Sequence, residues 1–172
     1  RFGHYDYWSD TVRRSILVDS KADVLVYGMG ELQIVELADA LDQGRFKESL
    51  PSIRGICYMA KEIPTIDYVE CPSYEAIKAD KMDFADAFRI QYDEQDPFYG
   101  RIVVQKHGDR YLIQNTPALP LTQEEMDGVY NLPYTRKWHP KYDDKGGVPA
   151  LSEVQFSLVS QRGCFGSCSF CA

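Results

Sequence analysis

Long hydrophobic runs are missing from this sequence, and its first residues lack the basic and apolar segments of a signal peptide. Positive charge is also scarce, since 19 Lys and Arg residues stand against 26 Asp and Glu residues, for a net charge of -7. The first absence argues against a membrane protein, and the second against a general nucleic-acid scaffold, which needs basic surface to neutralise phosphates. We therefore expect a cytoplasmic protein with no membrane partner and no strong nucleic-acid signal.

Cysteine is sparse too, and its number does not suit a domain held together by disulfides. The 172 residues contain five cysteines, an odd number, and nothing else is typical of a small secreted protein. With 44% apolar and 26% charged residues, the composition is that of a globular protein with a real core. The chain begins at Arg1, and Ala172 follows the last cysteine directly. We therefore expect a piece of a larger protein.

What the sequence does have is a cluster of three cysteines near its end, at Cys164, Cys168 and Cys171. Three thiolates on one short loop can bind three irons of a cubane cluster and leave one metal position open for another ligand. Glycines on this loop permit a tight fold. Residues 154–160 alternate apolar and polar side chains, which predicts a strand running into the loop. A loop at the C-terminal end of a strand is where barrel enzymes place their active sites.

Two other interpretations of the cysteine loop stay open at this point. The three thiolates with a distant His107 or His139 would make a structural zinc site, because zinc accepts a fourth ligand from anywhere in the chain. The protein would then be a non-catalytic binding module. Alternatively, two of the three cysteines would oxidise to a disulfide.

Doubly wound α/β architecture is predicted for the start of the chain. Residues 11–20 have the pattern of a capped helix, residues 22–27 that of a buried strand, and residues 32–43 that of a second helix. Gly28 and Gly30 lie between the strand and the second helix. They allow a phosphate-binding loop, but a structural turn is favoured because the third glycine of the dinucleotide fingerprint is missing.

The middle of the chain predicts a helix and a hairpin. Residues 74–92 follow a capping serine and have helical spacing of apolar side chains. Residues 102–106 and 110–114 flank a His-Gly-Asp turn, which is a hairpin signal and places His107 at an exposed turn. A further short helix, ending at Tyr130, is predicted by a capping box at its start.

The remaining candidate side chains have structural rather than functional interpretations. Cys57 lies in an apolar stretch and is expected to be an inert core thiol, and Cys71 a partly buried thiol rather than a redox site. A basic, aromatic stretch follows over residues 131–142. Four of its side chains would suit an acidic partner or a nucleic acid, but a solvated linker face is favoured; they are Arg136, Lys137, His139 and Lys141.

The cysteine spacing, with an aromatic residue just before the last cysteine, resembles the signature of the radical S-adenosylmethionine (radical SAM) superfamily. Further stretches resemble one branch of it, the YgiQ-type radical SAM proteins. They are residues 4–15, 19–23, 105–111, 124–127, 132–134 and the cysteine loop.

The resemblance implies a cofactor chemistry but not a substrate. It implies that Cys164, Cys168 and Cys171 hold a 4Fe-4S cluster, that Phe170 lies against the adenine of S-adenosylmethionine, and that reductive cleavage yields a 5'-deoxyadenosyl radical. A reducing partner such as flavodoxin or ferredoxin would supply the electron. The turn at Gly28 is similar to the Gly-Glu-Gly-Glu element of cobalamin-binding-like domains, but Met29 replaces the first glutamate and weakens the case for cobalamin.

The same resemblance divides the chain into three parts. Residues 1–60 would end an N-terminal Rossmann-like domain, residues 61–150 would form an inserted helix and hairpin region with a linker, and residues 151–172 would hold the first strand and cysteine loop of a radical SAM (β/α) barrel. The catalyst is then the parent protein. The present piece is expected to be inactive by itself, because part of the cofactor pocket would lie elsewhere.

Overall fold

A five-stranded sheet organises the first 120 residues. The computed structural model describes residues 1–63, 65–159, 162–164 and 166. Two units are distinguished, one of residues 1–120 and a second that begins at Leu121. The strands are β1 (His4–Asp6), β2 (Thr11–Arg13), β3 (Val24–Val26), β4 (Ile56–Ala60), β5 (Tyr68–Cys71), β6 (Ile102–His107) and β7 (Arg110–Gln114). The helices are α1 (Ile16–Ser20), α2 (Glu31–Asp42), α3 (Phe46–Ser49), α4 (Tyr74–Ala79), α5 (Lys81–Asp93), α6 (Gln123–Tyr130) and α7 (Leu151–Val154).

The sheet has the strand order β3-β4-β7-β6-β5 and is covered by helices on both faces. Successive residues of a strand point to opposite faces, so Val103 and Val104 of β6, both fully buried, belong to different core clusters. The first cluster contains Leu17 of α1 and residues of α4 and α5, and the second contains Leu37 of α2. The α/β class is therefore confirmed.

Strand direction differs from the doubly wound prediction. β5 and β6 are parallel, whereas β3, β4, β7 and β6 pair antiparallel in that order. Val24–Val26 is an edge strand whose residues are half-buried rather than fully covered. An apolar run predicts that a strand is covered on both faces, but it does not specify the direction of its neighbour, and this explains the difference.

Several local predictions are confirmed. The helix predicted over residues 32–43 is Glu31–Asp42, and the predicted hairpin is β6 and β7 joined at Gly108, whose φ is +62°. The capping box is formed, because the Thr122 hydroxyl accepts from the Glu125 N–H at 3.3 Å while the Glu125 carboxylate accepts from the Thr122 N–H at 2.7 Å. Each of these elements is specified by residues that are close together in sequence.

The helix predicted over residues 11–20 is wrong in its first half. Thr11–Arg13 is a strand that pairs with His4–Asp6, and a 2.7 Å ion pair joins Arg13 to Asp6. The helix begins only after Ser15, whose hydroxyl accepts from the Leu17 N–H at 3.2 Å. The capping residue Ser15, four residues after the predicted start of the helix, therefore separates a hairpin from a helix.

The helix predicted over residues 74–92 is two helices. Asp80 has an extended backbone, with φ -132° and ψ 131°, and its carboxylate accepts from the Met82 N–H at 2.7 Å. Asp80 thus ends α4 and caps α5, because its side chain offers the backbone a partner outside a continuous helix. The strand β5, not predicted, ends in Cys71 just before this pair of helices.

The second unit contains α6, a 3-10 turn over Pro140–Lys145 and the short helix α7. The Trp138 indole N–H donates to the Asp143 carboxylate at 2.7 Å and so fixes the ring beside the turn. Gly147 has a φ of +80°, and a Cβ placed on it would lie 2.5 Å from Cζ2 of Trp138. Only glycine fits this position without movement of the indole ring. The division of the chain at residues 60 and 150 stays a prediction.

Candidate functional site: the cysteine loop

The first part of the cysteine loop is described by Arg162, Gly163, Cys164 and Gly166. Gly163 has a φ of +84°, in the left-handed region that favours glycine, and a Cβ there would meet open space. Gly163 is therefore needed for the backbone conformation of the turn, and not because another group approaches it closely. Immediately after this turn comes the first of the predicted ligands.

Cys164 presents an exposed, free thiol. Its Sγ accepts a hydrogen bond from the Gly166 N–H at 3.3 Å. A backbone N–H directed at a cysteine sulfur stabilises negative charge on it, and hydrogen bonds to the sulfurs are one of the means by which proteins set the potential of iron–sulfur clusters. The described part of the loop thus fits a thiolate metal ligand. Cys168, Cys171 and Phe170 lie outside the described residues, and their roles stay predictions.

A cation–aromatic contact links the start of the loop to α6. The Arg162 guanidinium lies 5.4 Å from the ring centroid of Tyr130, the last residue of that helix. Tyr130 is held by a helix whose start is fixed by the capping box described above. The loop is therefore connected to a helix of its own unit.

The strand predicted over residues 154–160 is not formed in its described part. Val154 ends the short helix α7, and the following residues through Val159 have no strand partner among the described residues. Phe156 and Leu158 are 89% and 95% exposed. An alternating apolar and polar pattern forms a strand only where a neighbouring strand can pair with it. No strand of a sheet lies in the described part of this unit. The first barrel strand is therefore not seen here.

The two cysteines described outside the loop are buried, unlike the exposed Cys164. Cys57 lies in β4, the second strand of the sheet, and Cys71 at the end of β5, and both are buried. Burial raises the pKa of each thiol to about 12, because a thiolate would lose its hydration there. The predicted core position of Cys57 is confirmed, its inertness stays a prediction, and Cys71 is more buried than predicted.

The prediction of an exposed His107 is wrong. Its side chain is 6% exposed, stacks on the Tyr74 ring at 5.4 Å between centroids, and places Nε2 3.0 Å from Oε1 of Gln105. The last residue of a hairpin strand can point into the core even where the turn beside it is exposed. Burial lowers the pKa of this imidazole, since the charged form is disfavoured away from water.

The second histidine considered for zinc, His139, caps the 3-10 turn. Its Nδ1 accepts from the Lys141 N–H at 3.1 Å, and the side chain is exposed. Within the described ranges, no three His, Cys, Asp or Glu side chains are grouped so that they could hold a metal ion. The cationic side chains of residues 131–142 are exposed, as expected for a solvated face.

Nothing among the described helices is both long enough and apolar enough to cross a bilayer. This observation concerns the described residues alone.

Comparison with known proteins adds information about the family. A family model described as Radical SAM N-terminal matches residues 1–157. Over its whole length the chain is 54% identical to a UPF0313 protein of Clostridium botulinum (strain ATCC 19397 / Type A), and 53% identical to one of Clostridium perfringens (strain 13 / Type A). It spans 27% and 26% of those two relatives. No solved structure matches the chain.

Proposed function

We propose, because this chain belongs to the Radical SAM N-terminal family, that the protein containing it is a radical SAM enzyme whose 4Fe-4S cluster is held by Cys164, Cys168 and Cys171. When bound, the cluster would supply an electron for reductive cleavage of S-adenosylmethionine to a 5'-deoxyadenosyl radical.

The observation that carries the proposal is the Cys-x-x-x-Cys-x-x-Cys spacing together with the state of its first member. Cys164 is an exposed, free thiol that follows a left-handed glycine and receives a backbone N–H from Gly166. Three such ligands would leave one iron open to a small molecule. The cysteines outside the loop are buried, and burial raises the pKa of each thiol to about 12, so neither is a thiolate at neutral pH in the metal-free chain.

The residues of the loop have separate tasks in this proposal. Gly163 lets the chain turn before the first ligand, Gly166 donates to its sulfur, and Phe170 would lie against the adenine ring. Arg162 holds the start of the loop against Tyr130. These residues position the ligands and tune them, while the bond-breaking chemistry belongs to the cofactors.

The chain spans about a quarter of its curated relatives, so the activity belongs to the whole protein. We expect the 172-residue chain to be inactive alone, because a radical formed on an open loop would react with solvent. A flavodoxin or ferredoxin would be the electron donor, and bound cobalamin has weak support because Met29 interrupts the relevant turn motif.

The test is a product assay on the full-length protein after anaerobic reconstitution with iron and sulfide. The wild-type protein with S-adenosylmethionine and reductant should form methionine and 5'-deoxyadenosine. The variant Cys164→Ala/Cys168→Ala/Cys171→Ala should form neither, whereas the matched control Cys57→Ala/Cys71→Ala, which changes buried thiols instead, should retain cleavage. Cleavage that persists in the triple variant would defeat the assignment. One tightly bound zinc per chain in a colourless protein would favour the structural-zinc alternative.

A further inference from the structure

A cleft of about 1010 Å³ lies on the first unit and is separate from the cysteine loop motif. Its walls are α1, the start of α3, the end of β4, the N-terminal turn of α4 and the β6–β7 turn. These segments come from five separate parts of the first 110 residues. The volume is at the upper end of the range of about 300–1,000 Å³ that is typical of small-molecule sites.

The cleft is basic although the chain is acidic. Five cationic side chains line it against three carboxylates, in a chain whose net charge is -7. The cations are Arg14, Lys21, Lys47, Lys61 and Arg110, and the carboxylates are Asp23, Glu75 and Asp109. A cleft lined by one sign of charge raises the local concentration of ligands of the opposite sign.

Four of the five cations have no ion pair among the described residues. Arg14 forms a 2.7 Å ion pair with Asp19, and the Arg110 guanidinium lies 3.4 Å from the Met59 carbonyl oxygen. The other three have no ion pair among the residues that the structure describes; they are Lys21, Lys47 and Lys61. One of the carboxylates is itself engaged, since Glu75 accepts from the Gly108 N–H at 3.1 Å. The cleft therefore has a surplus of positive charge available to a ligand.

Aromatic side chains complete the lining, and one of them carries a buried acceptor atom without a partner. Tyr58, Phe46 and the stacked pair Tyr74–His107 supply flat apolar surface. His107 has its Nε2 beside Oε1 of Gln105, an oxygen that also accepts from the Gly3 N–H, so the network assigns the ring proton to Nε2. Nδ1 is then an acceptor, and it is buried without a hydrogen-bond partner among the described residues.

We propose that this cleft binds an organic phosphate of the nucleotide class, with the phosphates on the three unpaired lysines and the base against the aromatic side chains. Lysine ammonium groups bind phosphates as point charges, and aromatic rings stack on planar bases. A small ligand is favoured over an extended nucleic acid because the positive surplus of the cleft belongs to a chain that is acidic as a whole. This inference goes beyond the proposed function and involves none of the residues of the cysteine loop.

The test measures binding of ATP by calorimetry to the full-length protein in low salt. The protein carries Cys164→Ala, Cys168→Ala and Cys171→Ala, so a cluster cannot contribute and the outcome is independent of the proposed function. Adding Lys21→Gln, Lys47→Gln and Lys61→Gln should weaken ATP binding about tenfold, since each exposed charge pair contributes modestly. The matched control Lys81→Gln/Lys106→Gln/Lys145→Gln removes three exposed lysines that do not line the cleft and should leave the affinity unchanged.

Two competitors identify the parts of the ligand that are recognised. Inorganic tripolyphosphate should compete with ATP, and adenosine should bind more weakly than ATP. Unfolding midpoints of all variants, measured in parallel, verify that the lysine variants are folded. The proposal is overturned if ATP does not bind, if the cleft and control variants bind it equally, or if a single-stranded oligonucleotide binds more tightly than ATP with the same dependence on the three lysines.

Discussion

The two buried glutamines of the β6–β7 hairpin give a sharp test of how the first unit is stabilised. Gln105 and Gln114 are both fully buried, in neighbouring strands of one sheet. Gln105 accepts from the Gly3 N–H at 2.9 Å and donates to the Pro72 carbonyl at 2.9 Å, besides its contact with His107. Both side-chain polar atoms of Gln114 lack a partner among the described residues. The same substitution should therefore have opposite consequences at the two positions.

Replacement by methionine keeps the length of the side chain and removes its polar atoms. In Gln105→Met, three polar groups lose their partner, on Gly3, Pro72 and His107. Leaving a buried group unsatisfied costs about 1–3 kcal/mol, so at the low end the total is about 3 kcal/mol. In Gln114→Met no hydrogen bond between described residues is lost, and removal of a buried, unpaired amide should change the stability by less than about 1 kcal/mol or increase it.

Urea unfolding of the 172-residue chain, followed by far-UV circular dichroism, measures the difference. With a slope of about 2 kcal/mol per molar urea, Gln105→Met should lower the midpoint by about 1.5 M while Gln114→Met leaves it unchanged or raises it. Equal losses for the two variants, or a neutral Gln105→Met, would refute the reasoning that Gln105 ties the first residues to the sheet.

Three further predictions concern a histidine, two thiols and a glycine. Burial lowers the pKa of His107 in the folded chain, so as the pH falls the imidazole is protonated in the unfolded chain before it is protonated in the folded chain. The free energy of unfolding should therefore fall as the pH drops below about 6.5. A His107→Phe variant should show a smaller fall. An equal pH dependence of the two unfolding midpoints would count against this burial. The thiols of Cys57 and Cys71, with pKa values raised to about 12, should react with N-ethylmaleimide at pH 7 at least about 100-fold more slowly in the folded than in the urea-unfolded chain, as read by mass spectrometry. Comparable rates in both states would contradict their placement in the core. Gly147→Ala should destabilise the second unit and alter indole fluorescence more than Gly146→Ala, since both glycines have positive φ but only the first faces the indole ring. Identical spectra and midpoints for the two alanine variants would exclude the contact.

The parts of the fold that could be predicted are those determined by neighbours in sequence. The helix Glu31–Asp42, the capping box at Thr122 and the hairpin turn at Gly108 are each specified within a few residues. The spacing of the cysteine loop is likewise a local pattern. These features are predictable because the interacting groups are close along the chain.

The predictions that were wrong concern elements that depend on partners distant in sequence. Thr11–Arg13 is a strand because residues 4–6 pair with it, and His107 is buried because Tyr74 and Gln105 contact it. Strand direction in the sheet is also a tertiary property, which an apolar run does not encode. Residues 155–159 show the converse case, since their alternating pattern has no described sheet to complete.

The cleft could not be found from the sequence for a related reason. Its unpaired lysines are Lys21, Lys47 and Lys61, which are separated along the chain by at least one helix or strand and form no motif. Only the folding of α1, α3 and β4 against one another brings them to the same cavity. A local surplus of positive charge in an acidic chain is visible only after the fold is known.

The central claim is that three cysteines of one loop hold a cluster with an open iron, and electron paramagnetic resonance of the full-length protein tests it most directly. The anaerobically reconstituted, dithionite-reduced protein should contain about four irons per chain and give the signal of a reduced 4Fe-4S cluster that changes when S-adenosylmethionine is added. A cluster signal that S-adenosylmethionine leaves unchanged, or no cluster signal at all from protein that contains Cys164, Cys168 and Cys171, would contradict the account.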